Sequence, residues 1–526
     1  MEPPFSIYGA CESFSCCQPD YNSVYYAPMI ARLKKRWQTE GGYREIISIA
    51  LPLILSTGSI TIQHFVDRMF LTWYSAESIA AAMPAGIINF TIMAVFFGTT
   101  SYTNTFVAQY YGAKRYERIG PVVWQGLYFS VLAGLIVLPI YPFSAKLFAL
   151  TGHPEAVQAQ EVIYFQILLF TGLPLSASSA LAGFFGGRGK TRVIMWVVFA
   201  STLTNIVLDY AMIFGNWGFP EMGIRGAAIA TLIAQYVRLV LYIILIFLPK
   251  FRETYHTLSG WRPNRELFAR LLKFGFPNGM HYFLEVSGYT LFIILIGGYG
   301  TISLAAVNIT FNLNHLAFMP LMGIGMALSI RVGHYLGNNQ PEIAEKSTWS
   351  TFHLSATYIL SIAAGFIFLP HIFLHMFSLK ADPLQFAEIS EMAVNFLKFV
   401  AVYCFFDMLN IIFSAAVKGA GDTRYVMYTT VILSWIIMVV PSYLISNVFN
   451  LNIYFMWGSI TLFVMALGVA FFRRFKRGKW KSMRVIEEAP PSAKMHLPTE
   501  QRAEVALCAH CGEHENCPCE DDPEDE

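Results

Sequence analysis

The sequence predicts an all-α polytopic membrane protein: twelve transmembrane helices in two six-helix lobes related by pseudo-two-fold symmetry. Three observations carry the prediction. The 526 residues are 55% hydrophobic and only 13% charged, well below the ~25% charge of soluble chains. About a dozen segments of ~20 apolar residues, the length that crosses a hydrocarbon core as a helix, lie end to end between short polar breaks. Short motifs also recur at a nearly constant offset in the two halves of the chain.

Taken in order, the spans read 46–72, 79–108, 121–145, 160–185, 191–214, 224–248, 270–298, 303–334, 348–378, 388–417, 425–448 and 452–472. Nearly continuous apolar runs such as Ile233 to Leu248 favour helices over barrel strands, which alternate at period two. Basic residues fall on alternate connections: Arg32 to Arg44 before the first span, Lys114 to Arg118 after the second, Arg188 to Arg192 after the fourth. The pattern continues through Lys250 to Lys273, Lys346, Lys418 with Arg424, and Arg473 to Lys481. By the positive-inside rule both termini are cytoplasmic, which requires an even number of spans. Residues 1–30 lack the apolar stretch of a cleavable signal peptide. The expected location is the plasma membrane, or the inner membrane in a bacterium.

The repeat is legible in four ordered matches. Pro52 and Pro277, Ser78 and Ser303, and Gly112 and Gly337 are each separated by 225 residues, and Arg192 and Arg424 by 232. Both halves therefore enter the membrane from the same side, with an axis along the membrane normal and a cavity between the lobes. The expected organisation is a cytoplasmic segment 1–45, an N-terminal lobe 46–249, an interlobe linker 250–269, a C-terminal lobe 270–474 and an acidic Cys-rich tail 475–526. The tail composition reads as disordered. It carries Cys508, Cys511, His514, Cys517 and Cys519, either a soft-metal site or an unstructured thiol-rich stretch. Cysteines at cytoplasmic ends do not form a disulfide framework.

Acids inside spans need a reason, because each costs ~3 kcal/mol at mid-bilayer. Asp67 lies in span one, Asp209 in span five, Glu285 in span seven and Asp407 in span ten. Asn205 and Asp209 are four apart, as are Tyr403 and Asp407, so each pair shares a helix face. Such oxygen sets suit a hard cation, and a carboxylate screened from water also carries a proton. Fixed ion pairs within the bundle are the alternative. His281, one turn before Glu285, either ties up that carboxylate, shares its proton, or hydrogen-bonds a neighbour. Pro52, Pro174, Pro277 and Pro320 read equally as hinges or static kinks. Phe90, Phe97, Tyr102, Phe311 and Phe318 are candidate cavity aromatics, with ordinary packing as the alternative for each.

The stretch "KFGFPNGMHYFLEVSGYTLF", with "MPLMGIGMALSIRVGHYLG", "FVDRMFL", "FVAQYYGAKRYERIG" and "AAVKGAGDTR", resembles the multidrug and toxic compound extrusion (MATE) family in its NorM-type branch. The likeness covers about residues 40–475. It implies a cation site in the C-terminal lobe at Glu285, Tyr403 and Asp407, and one in the N-terminal lobe at Asp67, Asn205, Asp209 and Thr231. Both sets are present, so the resemblance leaves open which lobe couples the ion. The implied activity is export of organic, cationic and amphiphilic compounds in exchange for sodium ions or protons, by a monomer whose partners are the small-molecule substrate and membrane lipid.

No GxxxxGK[ST] loop, HExxH or GxSxG appears where it would serve an ATP-driven pump or a membrane-embedded enzyme. An enzyme is therefore not expected, nor a nucleic-acid partner, nor a cofactor beyond the coupling sodium ion or proton. A lipid-linked sugar flippase of the same superfamily is the nearest alternative; it calls for an Arg-lined cavity, whereas the mid-span charges read here are acidic.

Overall fold

The computed structural model describes residues 36–297, 299–378, 383–449 and 451–487. Helices and turns, and no β-strand, occur among the described residues. In chain order the membrane-length helices are α1 (Tyr43–Tyr74), α2 (Ala76–Gly112), α3 (Tyr116–Ala149), α4 (the bent pair Glu155–Leu169 and Gly172–Gly187), α5 (Thr191–Phe214) and α6 (Ile224–Ile246). The second half supplies α7 (Arg265–Ile296), α8 (Ile302–Gly337), α9 (Pro341–Phe368), α10 (Phe386–Ala420), α11 (Thr423–Val448) and α12 (Ile453–Lys476). Every predicted span has its helix. The apolar runs dictate this because a backbone in hydrocarbon must satisfy its own hydrogen bonds.

Proline sets the departures from the predicted spans. The two parts of α4 meet at 43°, and Pro174, just past the bend, has no N–H for the carbonyl four residues back at Phe170. The ninth span stops at Phe368 rather than 378, because Pro370 pushes Leu369 out of helical geometry (φ −132°, ψ 39°) and opens a separate short helix, Pro370–Ser378. Helix α11 carries π-helical turns at Ser434–Val439 and Leu444–Val448. Pro441 leaves the Ile437 carbonyl free there, and the Ser459 hydroxyl of α12 donates to it. By contrast α1, α7 and α8 run on through Pro52, Pro277 and Pro320.

The repeat is visible atom by atom where α2 and α8 end. Lys114 (φ 55°) and Asn339 (φ 62°), 225 residues apart, both adopt the left-handed conformation. Each closes its helix with the same bond, Arg115 N–H to the Tyr110 carbonyl (2.9 Å) and Gln340 N–H to the Tyr335 carbonyl (2.7 Å). A Cβ on Gly112 would sit 2.0 Å from the His334 carbonyl oxygen, and one on Gly337 would sit 2.2 Å from that of Gln109. Only glycine permits this approach. The contact is isologous, since the offset that carries Gly112 to Gly337 carries Gln109 to His334. The side chains repeat it: Gln109 Nε2 donates to the Gly419 carbonyl (2.9 Å), and His334 Nε2 bonds the Gly187 carbonyl.

These contacts lie at the end of the bundle where α1 begins and α12 finishes, here termed the basic end. Glu45 of α1 joins the same seam, pairing with Arg331 at 2.8 Å and accepting from the Tyr335 hydroxyl at 2.7 Å. Among the described residues, the interlobe hydrogen bonds all fall in the basic-end halves of their helices.

Two segments expected to be solvated are packed instead. Within the stretch expected as linker 250–269, Thr257 is buried and its carbonyl accepts from Trp124 Nε1 at 2.8 Å, while residues from Arg265 on already belong to α7. Arg188 lies 3.9 Å from the Phe184 ring centroid, 4.5 Å from that of Phe251 and 4.7 Å from that of Tyr255, fastening this stretch to α4. The start of the expected tail also folds back. Trp480 stacks on Phe475 at 5.0 Å, and Val485 is fully buried. The Val485 N–H donates to Gln109 Oε1 (2.8 Å) in the first half, and its carbonyl accepts from Arg270 (3.3 Å) in the second. Apolar side chains and paired backbone groups hold this strap where composition predicts disorder. The cysteine cluster from Cys508 to Cys519 lies outside the described residues.

Candidate functional site

A cavity of about 400 Å³ opens between the two lobes, within the range of small-molecule sites. Its wall combines Leu53, Ile60, Met322 and Ile411 with polar groups from both halves, among them Asn104, Asn278, His281, Glu285 and Asn410. Of the five candidate aromatics, Phe90, Phe97, Tyr102 and Phe318 line it. Phe311 does not; it stacks on Trp457 at 5.4 Å inside the second lobe. The basic-end seam forms the floor, where the Tyr102 hydroxyl donates to the Lys418 carbonyl (2.6 Å) and Asn278 donates to the Gly98 carbonyl (2.7 Å).

The structure brings the second-lobe candidates together. Glu285 of α7 is 31% exposed and faces the cavity. Asp407 and Tyr403, on one face of α10, are buried behind it. Helix α7 packs chiefly on α2 and α11, and α10 on α8, α9 and α12, yet Glu285 and Asp407 lie close enough to interact electrostatically across the intervening space. Asn410 Nδ2 donates to Asp407 Oδ1 at 3.1 Å. Tyr289, absent from the predicted set, lies within electrostatic reach of both acids. His281 Nδ1 lies 3.8 Å from Glu285 Oε2, too long for a hydrogen bond, and has no hydrogen-bond partner among the described residues.

The first-lobe candidates also meet, away from the cavity wall. Asp67 of α1 and Asp209 of α5 stand carboxyl to carboxyl. Asn205 donates to Thr231 of α6 at 3.4 Å. Asp67 Oδ1, Asn205 Oδ1 and both carboxylate oxygens of Asp209 are buried without a hydrogen-bond donor among the described residues. Oxygens alone, two of the groups acidic, suit a hard cation or a shared proton.

Two basic residues join the site from outside the predicted set. Lys418 lies one residue past the predicted end of span ten, but α10 runs on to Ala420 and carries Lys418 into the cavity wall. Its Nζ lies 5.6 Å from the Tyr282 ring centroid, within electrostatic reach of Glu285. Arg238, inside the apolar run from Ile233 to Leu248, also lines the cavity. A charge in mid-span is itself the signal.

A bundle of twelve membrane-length spans, one of them a bent pair, built as two lobes around a shared cavity defines a multi-pass membrane protein. The MatE family model matches residues 52–211 and 277–444, beginning at the two repeat prolines, and the chain belongs to that family. "Probable multidrug resistance protein NorM" of Thermotoga maritima is 26% identical over 452 residues, covering 84% of this chain and 94% of its own. "Multidrug resistance protein NorM" of Burkholderia vietnamiensis is 27% identical over 389 residues, 74% and 83% of the two chains. Among solved structures, one described as the outward-facing conformation of a multidrug resistance MATE family transporter has a TM-score of 0.76 at 20% identity, covering 85% of this chain and 98% of its own. A eukaryotic MATE transporter has a TM-score of 0.74 at 17% identity, covering 83% and 96%. These two likenesses bear on the fold.

Proposed function

We propose that the chain is a secondary active exporter that moves small organic compounds outward in exchange for sodium ions or protons by alternating access. The observation that carries this reading is Glu285: an acid on the cavity wall, backed by buried Asp407, where a cation entering the cavity meets the substrate's own space. Arrival of a cation or proton at Glu285 neutralises the charge that faces Lys418 and changes the cavity's field, so ion and substrate are coupled through one wall. A single charge moving down 100 mV gains ~2.3 kcal/mol, enough for a gradient of about fiftyfold. The sealed basic end corresponds to a cavity facing away from the cytoplasm, with both termini cytoplasmic, a reading the basic connections support, and the plasma membrane as the location that suits export. The names of the NorM relatives support drug-like substrates.

The test is transport of fluorescent organic dyes in proteoliposomes under imposed sodium or proton gradients. Glu285→Gln and Asp407→Asn are expected to lose gradient-driven transport while Asp67→Asn keeps part of it. Unchanged transport in all three removes the coupling assignment.

A further inference from the structure

Arg238 stands on the cavity wall without a counter-charge among the described residues. It is 9% exposed, and its Nε has no hydrogen-bond partner among the described residues. The titratable groups that interact with it are Tyr242, one turn on, and His64 of α1, and neither is an anion at neutral pH. Glu285, the one acid on the cavity wall among the described residues, faces Lys418. Asp67 and Asp209 lie off the cavity wall. Arg238 lies eight residues from the end of α6, which puts its Cα ~12 Å from that end. A guanidinium held this way favours an anion supplied from elsewhere, and its planar fork matches a carboxylate, sulfonate or phosphate.

We propose that the transported substrate is an amphiphilic organic anion, with its acidic group on Arg238 and its ring system against Phe90, Phe97 and Phe318. This rests on the export reading and names its substrate class. A cationic amphiphile finds one attractive group in this cavity, Glu285, and two repulsive ones, Arg238 and Lys418. An anion reverses that balance.

Two xanthene dyes of opposite charge, fluorescein and rhodamine 6G, test the proposal on the purified full-length protein by fluorescence anisotropy and in proteoliposomes by flux. Wild type is expected to bind fluorescein the more tightly. Arg238→Gln is expected to raise the Kd for fluorescein at least tenfold while leaving that for rhodamine 6G unchanged or lower, with Arg238→Lys recovering most of the loss. Tighter binding of rhodamine 6G to wild type, or an equal effect of Arg238→Gln on both dyes, overturns the assignment. If Arg238→Gln does not fold, the wild-type competition between the dyes still decides. Displacement of fluorescein by naphthalenesulfonate supports a free organic anion, and displacement by dihexanoyl phosphatidylglycerol alone moves the same chemistry to a lipid headgroup. Binding that depends on Arg238 without gradient-driven flux defeats the export reading only; flux of rhodamine 6G without fluorescein defeats the anion assignment only.

Discussion

At the basic end the two lobes make the same contacts twice, whereas at mid-span they share none of their charges. Gly112 packs on His334 as Gly337 packs on Gln109, and each of those side chains reaches a glycine carbonyl of the other lobe. The 225-residue offset instead pairs Asp67 with Phe292 and Glu285 with Ile60, and the 232-residue offset pairs Asp209 with Pro441, Asp407 with Leu175 and Lys418 with Gly186. Where the first lobe has the Asn205–Asp209 turn, the second has the π-helical turn at Ser434–Val439. Close backbone packing tolerates no added atom, so the seam keeps its symmetry. Charge placed in a cavity wall faces no such limit, and the lobes diverge there.

The comparison makes the two acid clusters unequal. Glu285 is reachable from the cavity, and the Asp67–Asp209 pair is closed off from it. The largest expected effect is therefore on coupling: Glu285→Gln lowers gradient-driven flux at least tenfold, equivalent to ~1.4 kcal/mol or more. An equal loss in Asp67→Asn and none in Glu285→Gln would reverse the ranking of the lobes. Next is the seam. Gly112→Ala and Gly337→Ala each force a methyl into a carbonyl and are expected to cost ~3 kcal/mol, read as a fall in melting temperature of similar size for both. Sharply different falls would break the symmetry argument.

A smaller effect separates ion from proton at the first-lobe cluster. If sodium is held by Asp67 and Asp209, adding 100 mM sodium in place of choline raises the wild-type melting temperature by several degrees, consistent with ~1–2 kcal/mol of linkage, and Asp209→Asn abolishes the rise. A rise retained in Asp209→Asn rules the cluster out as the sodium site. Smallest is the strap: Gln109→Leu removes the partner of the Val485 N–H and of the Gly419 carbonyl and is expected to cost ~1 kcal/mol. Limited trypsin digestion at Lys481 and Arg484 should then accelerate, and an unchanged cleavage rate would mean that Trp480 alone holds the segment.

Much of this was legible in the chain. A run such as Ile233 to Leu248 leaves no option but a helix in hydrocarbon, and Pro52 with Pro277 fixed the repeat and its handedness of insertion. The four-residue spacing of Asn205 with Asp209 and Tyr403 with Asp407 followed from helix geometry alone. Periodicity is a local property, and those features are local.

What the sequence by itself determined, then, is the twelve spans, the two-by-six repeat, and which polar residues share a helix face. Only the tertiary structure decided which of them meet and what they face: that Glu285 opens to the cavity while Asp67 does not, that Lys418 and Arg238 stand in its wall, that Phe311 is core, and that residues 479–485 fold back onto both lobes. The physical reason is that a helix's own hydrogen bonds fix its shape, whereas its rotation and its neighbours are set by side-chain packing between segments hundreds of residues apart.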